Sequence, residues 1–312
     1  MTNQPFLQEV ENDSGLNNLK STQDWLEENK IFIELKLEEH GAIIFKDLPV
    51  KTAEDFDQFV SSFNYDTFTY EESLSNAVRI NKTDKVFTAN EAPREVEIFL
   101  HHEMAQTPTY PKNIFFFCKS ASETGGETPL CRSDQLYEAL LKADKALVES
   151  FEKFGVIYNS IMSSGDELIS GQGRSWQKTL GVSSKNDAEE KLSKLGYSWN
   201  WIEDDNLSVT TKTLQATKEL GNGQKSFFNQ VIAASLGWKK NSENQIAPVR
   251  FGNGEEIKES YIELISELAQ SLTLLRSWQD HDILLIDNYR VMHGRKPFAG
   301  NKNREVLVSL TN

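Results

Sequence analysis

The spacing of apolar positions changes several times along this chain, and each change marks a predicted element. Gly41-Ala42-Ile43-Ile44-Phe45-Lys46 is a short apolar run that reads as a buried strand. Thr52 and Asp55 follow in the pattern of a capping box, with Phe56, Phe59, Val60 and Phe63 at helical spacing after them. A helix packed behind the strand is predicted there. Ile114-Phe115-Phe116-Phe117-Cys118 is a second strand, leading to a Gly-Gly turn and a short extended piece in Glu123-Thr124-Gly125-Gly126-Glu127-Thr128-Pro129-Leu130. Ser133 or Asp134 caps a predicted helix that runs to about Phe154 and stops at Gly155. Further helices are expected over about 186–195, ending at Gly196, and over about 256–273. Asp282–Asp287 and Arg304–Leu310 read as two core strands. Residues 1–30 are polar, with weak helical patterning near Trp25, and the Gly- and Ser-rich stretch 160–181 reads as a mobile loop over a site.

Strands placed early and late, with helical segments between them, predict an α+β chain with a mainly β core. The expected architecture is an antiparallel jelly roll with flanking helices and a helical and loop insertion. The expected organisation is one domain over 1–312, with an N-terminal extension at 1–39 and an insertion or lid at 156–250.

Charge and cysteine usage narrow the function classes. The formal net charge is −14, so duplex nucleic acid is not an expected partner. No apolar run approaches the roughly 20 residues that span a bilayer, so no membrane partner is expected. The opening Met1-Thr2-Asn3-Gln4-Pro5 lacks the basic and apolar regions of a secretory leader. Cys118 and Cys131 are the only cysteines, too few for a disulfide framework, a cysteine zinc site or an iron–sulfur cluster. A cytoplasmic protein is the expectation.

The candidate chemistry lies in two distant motifs. Phe99-Leu100-His101-His102-Glu103-Met104 holds a His-x-Glu pair, and Asp287-Asn288-Tyr289-Arg290-Val291-Met292-His293-Gly294-Arg295 holds a further histidine. On a strand, residues i and i+2 face the same way, so His101 and Glu103 can address one metal while His102 points elsewhere. A polar strand edge is the plainer reading of that pair alone. His293 in its tight connection changes the balance, because two histidines and one carboxylate form a facial triad that leaves three positions open on Fe(II). Of the remaining histidines, His40 and His281 lack such a context and are read as structural. Arg304 follows His293 by eleven positions, on the returning strand. Its planar fork suits the far carboxylate of a 2-oxoacid co-substrate. Arg295 is the alternative fork, and lies too close to His293 for easy reach. Thr128 offers a hydroxyl as a second anchor, and Gly125 and Gly126 permit a backbone that other residues resist. Arg79, Arg174, Trp176 and Asn229 are candidate substrate-pocket residues, with Arg174 placed to pair with a substrate carboxylate. Two other readings stay open at this stage. The same ligands suit a zinc hydrolase, which has no use for an oxoacid clamp, and a jelly roll can be an inactive binding protein.

These motifs, together with Ser175-Trp176-Gln177 and Phe227-Phe228-Asn229-Gln230, resemble the TauD/TfdA family, in particular its clavaminate-synthase-like and syringomycin-biosynthesis-type branch. The resemblance spans roughly residues 40–310. It implies a double-stranded β-helix and a non-haem oxygenase that uses Fe(II), 2-oxoglutarate and O2. By position it implies His101, Glu103 and His293 as iron ligands and Thr128 and Arg304 as 2-oxoglutarate anchors. Substrates of the resembling family are small polar molecules, so an amino acid or amino-acid derivative, free or tethered to a carrier protein, is expected. Hydroxylation of an unactivated C–H is the expected outcome, with desaturation or cyclisation as variants. Some members carry a second basic residue shortly after the anchoring arginine, where this chain has Val308 and Ser309. Others have Gly where His281 precedes Asp282. Related halogenases replace the carboxylate ligand by a small residue, so Glu103 points away from halogenation.

Overall fold

Alternation along each strand decides which residues face which layer. The computed structural model describes residues 6–69, 74, 75, 77, 79–166, 173–221, 223–238 and 246–312. Among them, a seven-stranded sheet runs in the order Gln8–Val10, Ala42–Phe45, Ile283–Asp287, Asn113–Ser120, Glu305–Thr311 and Thr67–Phe68, with Phe87–Thr88 also pairing with Glu305–Thr311. Gln8–Val10 pairs in parallel with its neighbour, and the other pairs are antiparallel. One parity set of these strands, including Ile43, Phe45, Phe115, Phe117, Ile283, Leu285 and Leu307, packs under two helices, Leu19–His40 and Ala53–Ser61. The opposite set, including Ile44, Phe116, Leu284, Val306 and Val308, meets Leu130 and Val291 of a second sheet.

That second sheet has four antiparallel strands, in the order Thr273–Arg276, Thr128–Arg132, Val291–Arg295 and Ile98–His101. Its outer face, through Cys131 and Met292, packs on the helices Ser133–Ala143, Lys145–Phe154, Val231–Gly237 and Glu259–Ser271. The result is the expected α+β jelly roll with helices on both sides. The capping box is present, with the Thr52 side chain accepting from Asp55 and the Asp55 side chain accepting from Thr52.

Several elements differ from their sequence-based expectation. The helix expected from Ser133 to Phe154 is two, broken at Asp144, whose extended backbone stops the first and whose carboxylate caps the second through Leu147 N–H at 2.9 Å. Residues 273–276 form a strand after the helix rather than its last turn. The weak pattern near Trp25 belongs to a 22-residue helix whose buried side includes Leu26, Ile33 and Leu37. Part of the stretch expected as a loop is strand Val156–Met162 and helix Trp176–Leu180, while residues 167–172 lie outside the described residues. Within 156–250, Ser198–Trp201, Leu207–Thr210, Val156–Met162 and Val249–Phe251 form a separate four-stranded sheet. It packs with the Lys185–Leu195 helix around Met162, Trp176, Leu180, Leu192 and Val209.

Candidate active site

The site is built where the second sheet faces the first. His293 on Val291–Arg295 stands directly opposite His101 at the end of Ile98–His101, and their rings lie 4.5 Å apart by centroid. Glu103 is not on that strand, contrary to the i, i+2 expectation. The strand ends at His101, and Glu103 sits in the turn that follows, next to Met104 in a left-handed conformation. The turn nevertheless swings the carboxylate back. Glu103 Oε2 lies 3.4 Å from His293 Nε2 and 3.9 Å from His101 Nε2. One ligand atom from each of the three lies within 4.8 Å of the others, as a shared metal requires.

Neighbouring groups fix how these atoms are presented. His101 Nδ1–H donates to the Phe99 carbonyl at 2.8 Å, which leaves the Nε2 lone pair turned toward Glu103. Burial, then the nearby His293, pushes the His101 imidazole down to about 4, so it is neutral near pH 7. Burial works to raise the Glu103 carboxyl, but Arg79 and the two histidines hold it well below the usual carboxylate range. Arg79 Nη2 reaches Glu103 Oε1 at 3.2 Å. His102 takes no part in the triad. Its Nδ1–H donates to the Asn288 carbonyl at 2.5 Å, and its ring packs on Phe228.

Asn288, in the motif that carries His293, has a structural task that its sequence pattern did not assign. It is fully buried, and its Oδ1 accepts from Glu103 N–H at 2.8 Å. Its Nδ2 donates to Glu103 O at 3.1 Å and to Pro111 O at 2.8 Å. One amide side chain therefore holds both backbone groups of the carboxylate's residue and ties the two motifs together, five positions before His293.

Arg304 lies one residue before the last strand, which starts at Glu305 rather than at Arg304 as expected, and its side chain lines the cleft between the sheets. Its Nη2 donates weakly to Gly126 O at 3.3 Å, and its guanidinium lies over Phe298 at 5.3 Å. Among the described residues its buried Nε has no partner. Gly126, at φ +73°, is required here, since a Cβ would stand 3.0 Å from Arg304 Nε and 2.6 Å from Ser122 Oγ. Gly125, at φ +70°, would carry a Cβ 2.3 Å from Pro297 O. Thr128 Oγ1 accepts from Trp278 Nε1 at 2.9 Å, which leaves its hydroxyl proton for another acceptor. Trp278 lay outside every motif in the sequence.

Thr128, Arg304, His101, His293 and Arg79 share one cleft, walled by Ile98, Phe116 and Val306. Arg295 also borders it, but its fork is committed to the carbonyls of Asn90, Ala92, Pro93 and Val96. The remaining candidates stand apart from that lining. Arg174 donates to Ser75 O and Lys178 O. Trp176 packs edge-on against Trp201 in the insertion's own core. Asn229 donates to Ala216 O and accepts from Val231 N–H.

This donor set fits the group that the resemblance implies. Two imidazole nitrogens and a carboxylate oxygen suit Fe(II), and an arginine fork with an unanswered donor suits a carboxylate. Among the described residues, no helix is long and apolar enough to cross a membrane.

Comparison with known proteins agrees with this geometry. The chain is 33% identical to a clavaminate synthase-like protein of Arabidopsis thaliana over 90% of its own length and 84% of the relative's. It is 27% identical to the dapdiamide synthesis protein DdaC of Enterobacter agglomerans, covering 88% and 83% of the two chains. In fold it is similar to AAD-2, solved in complex with Mn(II) and N-oxalylglycine, with a TM-score of 0.52, 14% identity and coverage of 98% and 94%. Residues 7–310 match the family described as taurine catabolism dioxygenase TauD, TfdA family. The chain thus belongs to the TauD, TfdA family of Fe(II)- and 2-oxoglutarate-dependent dioxygenases.

Proposed function

We propose that this protein hydroxylates an unactivated C–H bond of a small polar substrate, an amino acid or amino-acid derivative, either free or tethered to a carrier protein, in a biosynthetic pathway. The observation that carries this reading is three converging ligand atoms, two of them from histidines that line one cleft, with an arginine and a threonine with donors to spare in the same lining. When bound, Fe(II) with 2-oxoglutarate and O2 supplies the oxidation, which yields succinate, CO2 and a hydroxylated carbon. His101 Nε2, His293 Nε2 and Glu103 Oε2 hold the metal in this reading. Arg304 and Thr128 hold the far carboxylate of 2-oxoglutarate, with Trp278 keeping the Thr128 hydroxyl turned to donate. Ile98, Phe116 and Val306 keep water from the reacting end. Of the substrate-pocket candidates, Arg79 lines this cleft, where its guanidinium is paired with Glu103. The relatedness to a dapdiamide synthesis protein supports a biosynthetic role.

The test is a screen of amino acids and aminoacyl carrier proteins for stimulated succinate formation with Fe(II) and 2-oxoglutarate. A substrate that raises succinate and gains one oxygen atom supports the proposal. Hydrolysis without O2 uptake, or no visible charge-transfer band on adding 2-oxoglutarate to the anaerobic Fe(II) protein, overturns it.

A further inference from the structure

We propose that the open edge of the second sheet, strand Thr273–Arg276, is an interface for a second copy of this chain, joined antiparallel about a two-fold axis through Leu274.

The hydrogen bonding of the sheet decides which groups of that edge are free. In an antiparallel ladder, successive residues of an inner strand bond alternately to one neighbour and to the other. Thr128–Arg132 is such a strand, lying between Thr273–Arg276 and Val291–Arg295. At the two ends of its pairing with Val291–Arg295, Ser133 N–H donates to Arg290 O at 2.7 Å and Lys296 N–H donates to Glu127 O at 2.9 Å. The odd-numbered residues therefore bond toward Val291–Arg295, and Thr128 and Leu130 bond toward the edge. Their partners there are Arg276 and Leu274. The backbone N–H and C=O groups of Thr273 and Leu275 thus point away from the sheet, and they have no partner among the described residues.

Exposed edges are usually blunted by a charge, a proline or a covering element. This one carries Leu274 and Leu275 in the open, with Leu275 54% exposed. At the edge of the first sheet, by contrast, Gln8–Val10 carries Glu9, which is in ion pairs with Lys46 and Arg276.

Two features select a second copy as the occupant. The first is self-complementarity. A two-fold axis through Leu274 sets Thr273 against Leu275 of the second copy, and Leu275 against its Thr273, so each free donor meets a free acceptor. Leu274 then faces its own counterpart. The second is charge. Each copy carries a net charge of −14, which drives copies apart wherever acids meet. Beside the edge lies a groove walled by Phe99, Pro129, Ile232, Leu236 and Leu275, and the charged side chains in its lining are Glu97 and Lys296, which pair with each other. Two copies can meet there without bringing like charges together. A second exposed apolar patch, Ile31, Phe32 and Leu35 on the Leu19–His40 helix, lacks this property. Helical spacing puts the exposed Asp24, Glu27, Glu28 and Glu38 on the same face, where a second copy would be repelled.

The experiment is sedimentation velocity over a dilution series of the full chain, with variants in both patches. Native protein should sediment with twice the mass of one chain at the higher concentrations. Leu275→Lys should raise the dimer dissociation constant by about 30-fold or more, because it removes a central apolar contact and sets two ammonium groups across the axis. Phe32→Ser should leave that constant within about 3-fold of native. Leu274→Cys tests the register, and does so even where Leu275→Lys fails to fold. Non-hydrogen-bonded antiparallel pairs bring their Cβ atoms closest, within reach of a disulfide, and the native Cys118 and Cys131 are buried. Mild oxidation should therefore turn Leu274→Cys into a covalent dimer on a non-reducing gel and leave Ile31→Cys as single chains. Native protein that sediments as one chain at every concentration overturns the proposal. So does a dimer that Phe32→Ser dissociates and Leu275→Lys does not, or one that oxidation links through Ile31→Cys and not through Leu274→Cys.

Discussion

The cleft between the two sheets and the four-stranded insertion sheet both hold residues with chemistry to offer, and they treat them in opposite ways. In the cleft, neighbours hold one polar atom of His101, Thr128 and Arg304 and leave another of each unanswered. His101 is tied at Nδ1 and open at Nε2, Thr128 is tied by Trp278 and keeps its proton, and Arg304 keeps a buried Nε without a partner among the described residues. In the insertion such atoms do not converge. Trp176 fills a core with its buried Nε1 unpartnered among the described residues, and Arg174 sits on two backbone carbonyls. The difference teaches that residue type and an unpaired polar atom nominate a site, while the convergence of several on one cleft locates it.

The strongest attack on this contrast removes one of the converging groups. Glu103→Ala and His293→Ala should each abolish substrate-coupled 2-oxoglutarate turnover, measured as succinate formed per O2 consumed. Full hydroxylation by Glu103→Ala would mean that the converging atoms are an accident of packing. Next comes the anchor. Arg304→Ala removes charge-assisted hydrogen bonds worth about 1.5–3 kcal/mol each, so the KM for 2-oxoglutarate should rise about 10- to 100-fold. Mn(II) affinity should stay near native, because Arg304 touches no ligand atom. Equal losses in both would erase the distinction between ligands and anchor.

A smaller effect on the chemistry, but a larger one on the fold, is expected from Asn288. Asn288→Ala leaves buried Glu103 and Pro111 backbone groups without their partner, a cost of about 1–3 kcal/mol in stability. The turn carrying Glu103 then loosens, and Mn(II) affinity should fall about 10-fold. Thermal unfolding and Mn(II) titration check the two effects separately. Lost stability with unchanged metal affinity would show that the turn holds its shape without Asn288.

How much of this was legible beforehand follows from the range of the forces involved. Strands such as Ala42–Phe45 and Ile283–Asp287 announce themselves because both faces are buried, which makes their sequence continuously apolar. Arg304 was legible from its spacing of eleven positions after His293, although the strand itself begins one residue later, at Glu305. The turn at Glu103 was not, because the strand's end is set by Asn288, 185 positions away. Thr273–Arg276 was missed because Leu274 and Leu275 are largely exposed on an edge strand, so no alternation marks it. The fate of Arg174 was likewise hidden, because its acceptors are carbonyls, and every residue has one.

Arg174 gives the last and smallest test. Its Nη1 donates to Ser75 O at 3.3 Å and its Nη2 to Lys178 O at 2.8 Å, so the side chain joins the start of the Trp176–Leu180 helix to the segment around residue 75. Arg174→Ala should lower stability by about 1 kcal/mol and leave Mn(II) and 2-oxoglutarate affinities unchanged. A rise in the KM of an identified substrate, with those two affinities constant, would put the insertion on the substrate side of the cleft. The contrast between the two regions would then be one of order, with the cleft organised before substrate arrives and the insertion after. A loss of 2-oxoglutarate affinity would break it altogether, since Arg174 lies outside the cleft lining that holds Arg304 and Thr128.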